Sequence, residues 1–292
     1  MVSVIEKFAT LATDNAPGQE VRQSVGNISD LMRGDEMSGR LVDFSHGDVD
    51  AFTPTPGSFE RFSEAVLAGG RQAYTEYRGS SEIRVELAGR LAAFTGAPVS
   101  ADEGIILTPG TQGALFLAVA STVTDGDKVA IVQPDYFANR KLVQFFGGQV
   151  MPVTMNYMNS TVEAGLDLSH LRATFEAGAK TFLFSNPNNP TGAVYSESEI
   201  DQIVELAKEF DVTIIADQLY SRLRYEGESY THIRARGLSA EKVLTIMGPS
   251  KTESLSGYRL GVAFGSPTII GRMEKLQAIV SLRAAGYNLS LI

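Results

Sequence analysis

The chain has 292 residues, of which 43% are hydrophobic and 20% charged, and these ordinary globular values exclude intrinsically disordered and collagen-like classes of protein. Its formal net charge of −9, without any run rich in Lys or Arg, makes nucleic acid an unexpected partner. Because the sequence has no cysteine, disulfides, thiolate metal sites and a cysteine nucleophile are excluded, and we expect no metal centre.

The N-terminal residues lack the long apolar segment of a signal peptide, and the sequence has no run of about 18 apolar residues that would span a membrane. We therefore expect a cytoplasmic protein. The first 40 residues show helical fragments interrupted at 15–18 and 34–39, without a strand pattern. Residues 43–57 are rich in Asp, Pro and Gly, which is typical of a loop. The sequence thus predicts an N-terminal arm and loop over residues 1–57.

From about Ser58 onward, helical periodicity alternates with short apolar strands. Helices are predicted at 81–95, 113–122, 137–146, 197–210 and 269–283. Strands are predicted at 104–108, 128–132, 149–153, 181–184, 213–216, 243–247 and 260–264. This alternation is typical of βαβ units, so we predict an α/β fold, a three-layer αβα sandwich with a mostly parallel seven-stranded sheet.

Ligands of such sheets bind beyond the carboxyl ends of the strands, and five loops at those ends carry informative residues. In the first loop, Gly110, Thr111 and Gln112 lie in the turn before a helix, and the free backbone N–H groups at that helix start would bind an anion such as phosphate. An ordinary glycine-containing turn is the alternative. In the second loop, the ring of Tyr136 either stacks on a planar ligand or packs in the core.

The third and fourth loops restrict their backbone and carry polar side chains. Residues 186–192 contain two prolines and a glycine, and Asn189 among them can donate a side-chain N–H. In the fourth loop, Asp217 and Tyr220 follow an almost wholly apolar strand. A partly buried carboxylate at that point needs a cationic partner, because otherwise its pKa rises. A protonated ring nitrogen is such a partner.

The fifth loop, residues 248–261, contains Ser250, Lys251 and Arg259. A single lysine at a strand end is usually a surface residue. Here the lysine lies among serines, and an arginine follows eight residues later. A lysine that is partly desolvated or near another cation becomes nucleophilic enough to form an imine.

Together the five loops resemble those of fold type I pyridoxal-phosphate enzymes, the class I and II aminotransferases, over about residues 43–283. The fifth loop is similar to that family's signature, Ser-Lys followed after a gap by Gly-x-Arg-x-Gly. The resemblance implies that Lys251 is the Schiff-base lysine and the general base. It implies that Asp217 pairs with the pyridinium nitrogen, and that Tyr220 and Asn189 bind the ring hydroxyl group. It also implies that the remaining loop residues bind pyridoxal 5'-phosphate, namely Gly110, Thr111, Gln112, Tyr136, Ser250 and Arg259.

Outside these loops, the resemblance concerns the dimer and the substrate. Tyr74 is similar to the tyrosine that reaches the phosphate of the neighbouring subunit, which implies a homodimer with shared active sites. Gly47 belongs to a segment similar to the one that covers the substrate, and His46 replaces an apolar residue there. His46 is either a loop residue or a direct participant. Gly248 also departs from the pattern, because many relatives have a phosphate-binding serine at that position.

The largest departure concerns the end of the sequence. The family continues into a C-terminal small domain, in which an arginine binds the α-carboxylate of the substrate, whereas this sequence stops at residue 292. Either the sequence is a fragment, or the carboxylate is held in another way. We predict an arm and active-site loop at 1–57 that belongs to the small domain. We further predict a large cofactor-binding domain at 58–283 and the start of a truncated small domain at 284–292.

The resemblance implies an aminotransferase that moves an amino group between an L-amino acid and a 2-oxo acid. Because the steps up to removal of the α-proton are shared, an amino-acid oxidase or hydroxylase, a lyase or a decarboxylase of the same fold is the alternative. The non-enzymatic alternative is an inactive binding or regulatory module, against which the retained Lys251 and Asp217 argue. Arg283 either selects a dicarboxylic substrate by bidentate pairing or is a solvated arginine at a helix end.

Overall fold

The structure is a computed structural model, and it describes residues 3–13, 52–69, 74–158 and 164–291. The chain divides into two compact units, Met1–Thr53 and Pro54–Ile292. In the first unit, the helix Val4–Ala9 begins with a capping box, in which Ser3 and Glu6 each accept a hydrogen bond from the backbone N–H of the other. This reciprocal bonding pairs two N–H groups that a helix start otherwise leaves to water.

Several predictions concern residues that lie outside the described ones, namely those for 15–18, 34–39, His46 and Gly47. These stay predictions, as do the domain boundaries at residues 57 and 283. None of the described helices is both long and apolar enough to cross a membrane.

The described part of the second unit contains a seven-stranded sheet in the order β1-β7-β6-β5-β4-β2-β3. Its strands are β1 Ile105–Pro109, β2 Lys128–Gln133, β3 Gln149–Thr154, β4 Thr181–Ser185, β5 Thr213–Asp217, β6 Val243–Met247 and β7 Leu260–Gly265. Strand β7 is antiparallel to both of its neighbours, and the other pairs are parallel. The predicted mostly parallel sheet is confirmed, and each predicted strand end lies within about one residue of the observed end.

Helices cover both faces of this sheet. Their bounds are Ser58–Ala68, Ser81–Thr95, Gly110–Thr122, Phe137–Phe145, Leu168–Glu176, Glu197–Phe210 and Pro267–Val280. Short 3₁₀ helices follow at Ile233–Ala235, Ala240–Lys242, Ser256–Tyr258 and Gly286–Leu291. Neighbouring residues of the central strands point to opposite faces, so that Phe182 joins one apolar cluster and Leu183 joins another. Both faces are buried, and the three-layer sandwich is confirmed.

Four helices differ from the predictions, and one of them, Ser58–Ala68, has no counterpart among the predicted helices. The helix at residue 113 begins at Gly110 instead, because glycine is a poor helix former and hides the first turn from a sequence pattern. The last long helix ends at Val280 and not at residue 283, because Leu282 adopts a φ of 62°, which cannot continue a right-handed helix. The helix Leu168–Glu176 is not predicted, although Asp167 caps it by accepting a hydrogen bond from His170.

A buried carboxylate fixes the loop that precedes Leu168–Glu176. Glu199 is only 3% exposed, and its two oxygens accept hydrogen bonds from four backbone N–H groups. Their donors are Ser196 at 2.8 Å, Ala164 at 3.0 Å, Gly165 at 2.9 Å and Leu166 at 3.1 Å. Each of these N–H groups makes one charge-assisted hydrogen bond to the carboxylate. These bonds replace the hydrogen bonds to water that the loop backbone loses when it is buried.

Replacing Glu199 with Gln should therefore lower the free energy of unfolding by about 2 kcal/mol, because the amide puts a donor where two N–H groups need an acceptor. Urea denaturation measures this change. The control is Glu205→Gln on the same helix, whose side chain is 73% exposed, and it should change the free energy by less than about 0.5 kcal/mol. Equal shifts in the two variants would contradict the role given to Glu199.

Candidate functional site

The predicted loops meet at one edge of the sheet, because parallel strands end at the same edge. Strand pairing sets Ser185 of β4 beside Asp217, which in turn lies beside Ile246 of β6. The backbone N–H of Asn186 donates to the carbonyl of Asp217 at 2.9 Å. The loops that begin after β4, β5 and β6 are therefore neighbours.

Arg259 reaches the same edge because β7 runs in the opposite direction. The amino end of an antiparallel strand lies beside the carboxyl ends of its neighbours, and Leu260 pairs with Pro109 at the end of β1. Arg259 itself has a φ of 52° and directly precedes Leu260. The predicted Arg259 and the predicted turn at Gly110 are thus brought together.

Three glycines, at positions 110, 248 and 261, allow these loops to approach each other closely. A Cβ on Gly110, whose φ is 76°, would lie 2.4 Å from Nη2 of Arg259. A Cβ on Gly261 would lie 2.4 Å from the carbonyl carbon of Gly110 and 2.5 Å from the amide nitrogen of Thr111. A guanidinium therefore lies over the first turn of Gly110–Thr122, where no side chain caps the N–H groups. This arrangement suits an anion such as phosphate.

The same packing explains the glycine at position 248. A Cβ there would lie 2.7 Å from Cγ2 of Thr111 and 3.0 Å from the carbonyl oxygen of Leu260. The methyl group of Thr111 fills the space that a side chain at 248 would need. The serine of many relatives does not fit at this position unless Thr111 moves.

Asp217 has an unusual electrostatic environment. The pKa of its carboxyl group is raised to about 6, mainly by burial. The N–H of Leu219, which donates to Oδ1 at 3.1 Å, opposes this rise in part. Among the described residues, this is the only hydrogen bond of the carboxyl group, and no cation pairs with it. A carboxylate in this condition favours a cationic partner.

Two tyrosines of the predicted site lie close enough to Asp217 to be affected by its charge. Burial, and then the charge of Asp217, raise the pKa of Tyr136 and that of Tyr220. The hydroxyl of Tyr136 donates to Oε1 of Gln112 at 3.1 Å, which joins the second predicted loop to the first. The ring of Tyr136 also packs beside Phe137, with 4.9 Å between their centroids. Its predicted alternatives, stacking on a ligand and packing in the core, both remain open.

The third and fifth predicted loops also place residues at this edge of the sheet. The backbone N–H of Asn189 donates to Oγ of Ser185 at 2.9 Å, and its side-chain amide bonds no group within the described part of the chain. Ser250 is buried and Lys251 is partly buried directly after β6. The structure therefore brings Asn189, Ser250 and Lys251 to the edge that carries Asp217.

Two predicted residues contact each other. The guanidinium carbon of Arg283 lies 3.5 Å from the centroid of the Tyr74 ring, and Nη1 donates to the carbonyl of Thr75. Tyr74 is exposed. Binding of a substrate carboxylate by Arg283 stays a prediction, as does the contact of Tyr74 with another subunit.

Sequence reasoning missed two aromatic residues that contact the loops at this edge of the sheet. The hydroxyl of Tyr230 donates to the carbonyl of Asn186 at 2.7 Å, and the ring of Tyr230 meets that of His232 with 4.7 Å between centroids. His232 lies 3.0 Å from Oε1 of Gln218, and burial lowers its pKa to about 4. Both residues belong to an irregular loop, and no spacing pattern connects them to Asp217.

Known proteins resemble this chain over most of its length. An aspartate aminotransferase of Sulfolobus acidocaldarius is 31% identical over 241 residues, which cover 82% of this chain and 59% of the relative. The aspartate/prephenate aminotransferase of Thermus thermophilus is 30% identical over 82% of this chain and 60% of the relative. The chain thus spans about three fifths of the length of these curated relatives.

Solved structures have the same fold. The crystal structure of an aspartate aminotransferase from Rhodobacter sphaeroides has a TM-score of 0.87 and 68% identity, and the match covers 90% of this chain and 68% of that one. The aspartate aminotransferase from Thermus thermophilus with maleate has a TM-score of 0.77 and 28% identity, over 85% of this chain and 62% of that one. Residues 40–288 match the family model described as aminotransferase class I and II. The chain therefore belongs to this family, whose members depend on pyridoxal 5'-phosphate.

Proposed function

We propose that this chain is the cofactor-binding part of an aminotransferase that moves an amino group between an L-amino acid and a 2-oxo acid. One observation carries the proposal. Asp217 is a residue of intermediate exposure whose carboxyl group is desolvated enough to raise its pKa to about 6, and among the described residues it has no cationic partner. The protonated ring nitrogen of pyridoxal phosphate meets that requirement, because an opposite charge favours the ionised carboxylate.

The other residues of the site fit the same cofactor. Lys251 would hold its aldehyde carbon covalently, and Asp217 would lie at its ring nitrogen. Tyr220 and Asn189 would bind the ring hydroxyl group, and the ring of Tyr136 would cover the ring face. Its phosphate would lie among Gly110, Thr111, Gln112, Ser250 and Arg259, where three glycines bring an arginine to a helix start. When bound, the cofactor supplies an electron-accepting ring.

The residues of the chain then supply proton transfer and orientation. Nζ of Lys251 would be the base that removes the proton from the α-carbon of the amino acid and delivers it to the cofactor carbon that had carried the aldehyde. Asp217 keeps the ring nitrogen protonated, since its negative charge stabilises the positive one. Tyr136, held by its hydrogen bond to Gln112, limits the access of water to one side of the site.

The names of the relatives support L-aspartate as an amino donor, with a 2-oxo acid as the acceptor. Three of the proteins compared above are aspartate aminotransferases, from Sulfolobus, Rhodobacter and Thermus. A homodimer in which Tyr74 contributes to the site of the other subunit, and a location in the cytoplasm, belong to the same proposal. The exposed ring of Tyr74 is consistent with such a contact.

Covalent trapping tests the proposal. After the full chain is mixed with pyridoxal phosphate and reduced with borohydride, we expect mass spectrometry to find one modified residue, Lys251. The Lys251→Ala variant should lose both the modification and the visible absorbance. Replacement of the exposed Lys275 with Ala is the control and should retain both.

A spectroscopic experiment then identifies the reaction. Aspartate and other single amino acids are added to the loaded protein with and without oxygen. Conversion to the amine form of the cofactor without oxygen supports transamination. A change that requires oxygen supports an oxidase or hydroxylase, and modification away from Lys251 contradicts the site assignment.

A further inference from the structure

One side chain joins the loop that follows β5 to the loop that follows β6. Nη1 of Arg222 donates to Oε1 of Glu253, and Nη2 donates to Oε2 at 2.9 Å. Nη2 also donates to Oγ1 of Thr252 at 2.7 Å, and this hydroxyl donates to Oε2 of Glu253. The guanidinium thus makes a bidentate pair and a third bond with residues that are 30 and 31 positions away in sequence.

Both ends of this pair are anchored in their own loops. The N–H of Glu253 donates to the carbonyl of Pro249 at 3.3 Å, and its own carbonyl accepts from the N–H and the hydroxyl of Thr55, each at 3.1 Å. On the other side, Leu223 directly follows Arg222, and its N–H donates to the carbonyl of Tyr220 at 2.9 Å, which holds this part of the chain in a turn. Movement of either residue of the pair is therefore transmitted to its loop.

Arg222 and Glu253 lie close in sequence to two residues of the proposed site. Arg222 lies two residues after Tyr220, and Glu253 lies two residues after Lys251. Two residues span at most about 7 Å, so the pair lies close to both proposed site residues along the chain. A planar guanidinium that binds both oxygens of a carboxylate fixes direction as well as distance.

We propose that the Arg222–Glu253 pair positions Lys251 relative to the turn that carries Asp217 and Tyr220. The inference rests on the proposed function in its assignment of Lys251. Both side chains are partly exposed, and exposed ion pairs stabilise a fold only slightly. The pair therefore acts on the geometry of the site and not on global stability. Arg222 and Glu253 are positioning residues, which need not touch substrate or cofactor.

A second bidentate pair provides a matched control. Arg172 donates to both oxygens of Glu209, at 2.6 Å and 2.7 Å, and the side chains of both residues are partly exposed, as in the first pair. This pair joins the helices Leu168–Glu176 and Glu197–Phe210 and has no part in the loops described above. Arg172→Gln should therefore match Arg222→Gln in its effect on thermal unfolding and differ from it at the site.

The first measurement is hydrogen exchange of the full chain without cofactor. In Arg222→Gln, we expect amides of residues 217–223 and 249–255 to exchange roughly tenfold faster, because the two loops no longer restrain each other. Glu253→Gln and the double variant should give the same increase, since a coupled pair is lost only once. In Arg172→Gln, both segments should exchange as in the unmodified protein.

The second measurement uses the protein loaded with pyridoxal phosphate. Arg222→Gln should lower kcat roughly ten- to hundredfold and change KM less than about threefold, because a displaced lysine slows proton transfer more than binding. The pH dependence of the visible absorbance, which reports on the bond to Lys251, should also shift. Arg222→Lys, which keeps the charge but not the planar fork, should restore only part of kcat.

The two proposals can fail separately. If the unmodified chain does not bind pyridoxal phosphate at Lys251, the proposed function is wrong, while hydrogen exchange still tests the link between the loops. If the chain binds the cofactor and transaminates, unchanged exchange and an unchanged absorbance titration in Arg222→Gln overturn the inference. Equal effects of Arg172→Gln and Arg222→Gln on the two segments overturn it as well.

Discussion

Replacing Asp217 with Asn should stabilise the cofactor-free chain by about 3 kcal/mol at pH 8, because it removes a charge that burial disfavours. The pKa of Asp217 rises from an ordinary 3.8 to about 6 in the folded state, so the folded protein holds this proton more tightly than the unfolded chain does. Stability therefore falls as the pH rises from about 4 to about 6 and stays lower above that range.

Urea denaturation at two pH values measures this effect. The gain in Asp217→Asn should shrink to roughly half at pH 5, where the unfolded chain is ionised and the folded protein is still largely protonated. The N–H of Leu219 keeps an acceptor in this variant, so no hydrogen bond is lost. Asp102→Asn, at an exposed position, is the control and should leave stability unchanged. A gain that does not vary with pH would contradict the electrostatic explanation.

The same variant should lose activity by roughly a hundredfold to a thousandfold, since a neutral amide does not keep the ring nitrogen protonated. Single-turnover absorbance measurements with aspartate would report this loss. The combination of higher stability and lower activity in one substitution is typical of a group retained for function. An active Asp217→Asn enzyme would contradict the role proposed for this carboxylate.

The second large effect is expected for Gly261→Ala. The three atoms nearest to a Cβ at this position would all be backbone atoms, namely the carbonyl carbon and oxygen of Gly110 at 2.4 and 2.6 Å and the nitrogen of Thr111 at 2.5 Å. Backbone atoms cannot rotate away, so β7 and the turn at Gly110 must separate. We expect a loss of about 3 kcal/mol in unfolding free energy and about a hundredfold weaker binding of pyridoxal phosphate.

A glycine in the preceding loop is the control for this prediction. A Cβ on Gly257 would have no neighbour within 4 Å, and the φ of Gly257 is not positive. Gly257→Ala should therefore alter unfolding by less than about 0.5 kcal/mol and leave cofactor affinity unchanged. Thermal unfolding and fluorescence titration with pyridoxal phosphate measure both quantities. If Gly261→Ala binds the cofactor normally, the close approach of the two loops is not needed for the site.

The sequence predicts the sheet well because most strands are short apolar runs with a clear end, as 213–216 has before Asp217. Local signals fail where glycine opens a helix, at Gly110, and where one residue in the left-handed region ends a helix, at Leu282. The predicted loops do meet at one edge, because strand order determines which loops are neighbours.

The contacts that fix the details of the site depend on side chains far apart in sequence. Arg222 and Glu253 are 31 positions apart, and neither is one of the fixed residues of the signature. The reason for glycine at 248 is the methyl group of Thr111, which only the folded chain brings near. A single sequence without its fold holds no information on such pairs. The sequence therefore predicts which residues form the site better than it predicts the contacts that hold those residues in place.

The antiparallel direction of β7 has a consequence for how the chain tolerates insertions. Under the proposed assignment, Lys251 and Arg259 bind opposite ends of one small molecule, and a single loop before β7 connects them. The length of that loop must match the size of the molecule, because both of its ends are fixed by the sheet. The number of residues between Lys251 and Arg259 should therefore stay constant among related sequences, whereas surface loops elsewhere are free to lengthen.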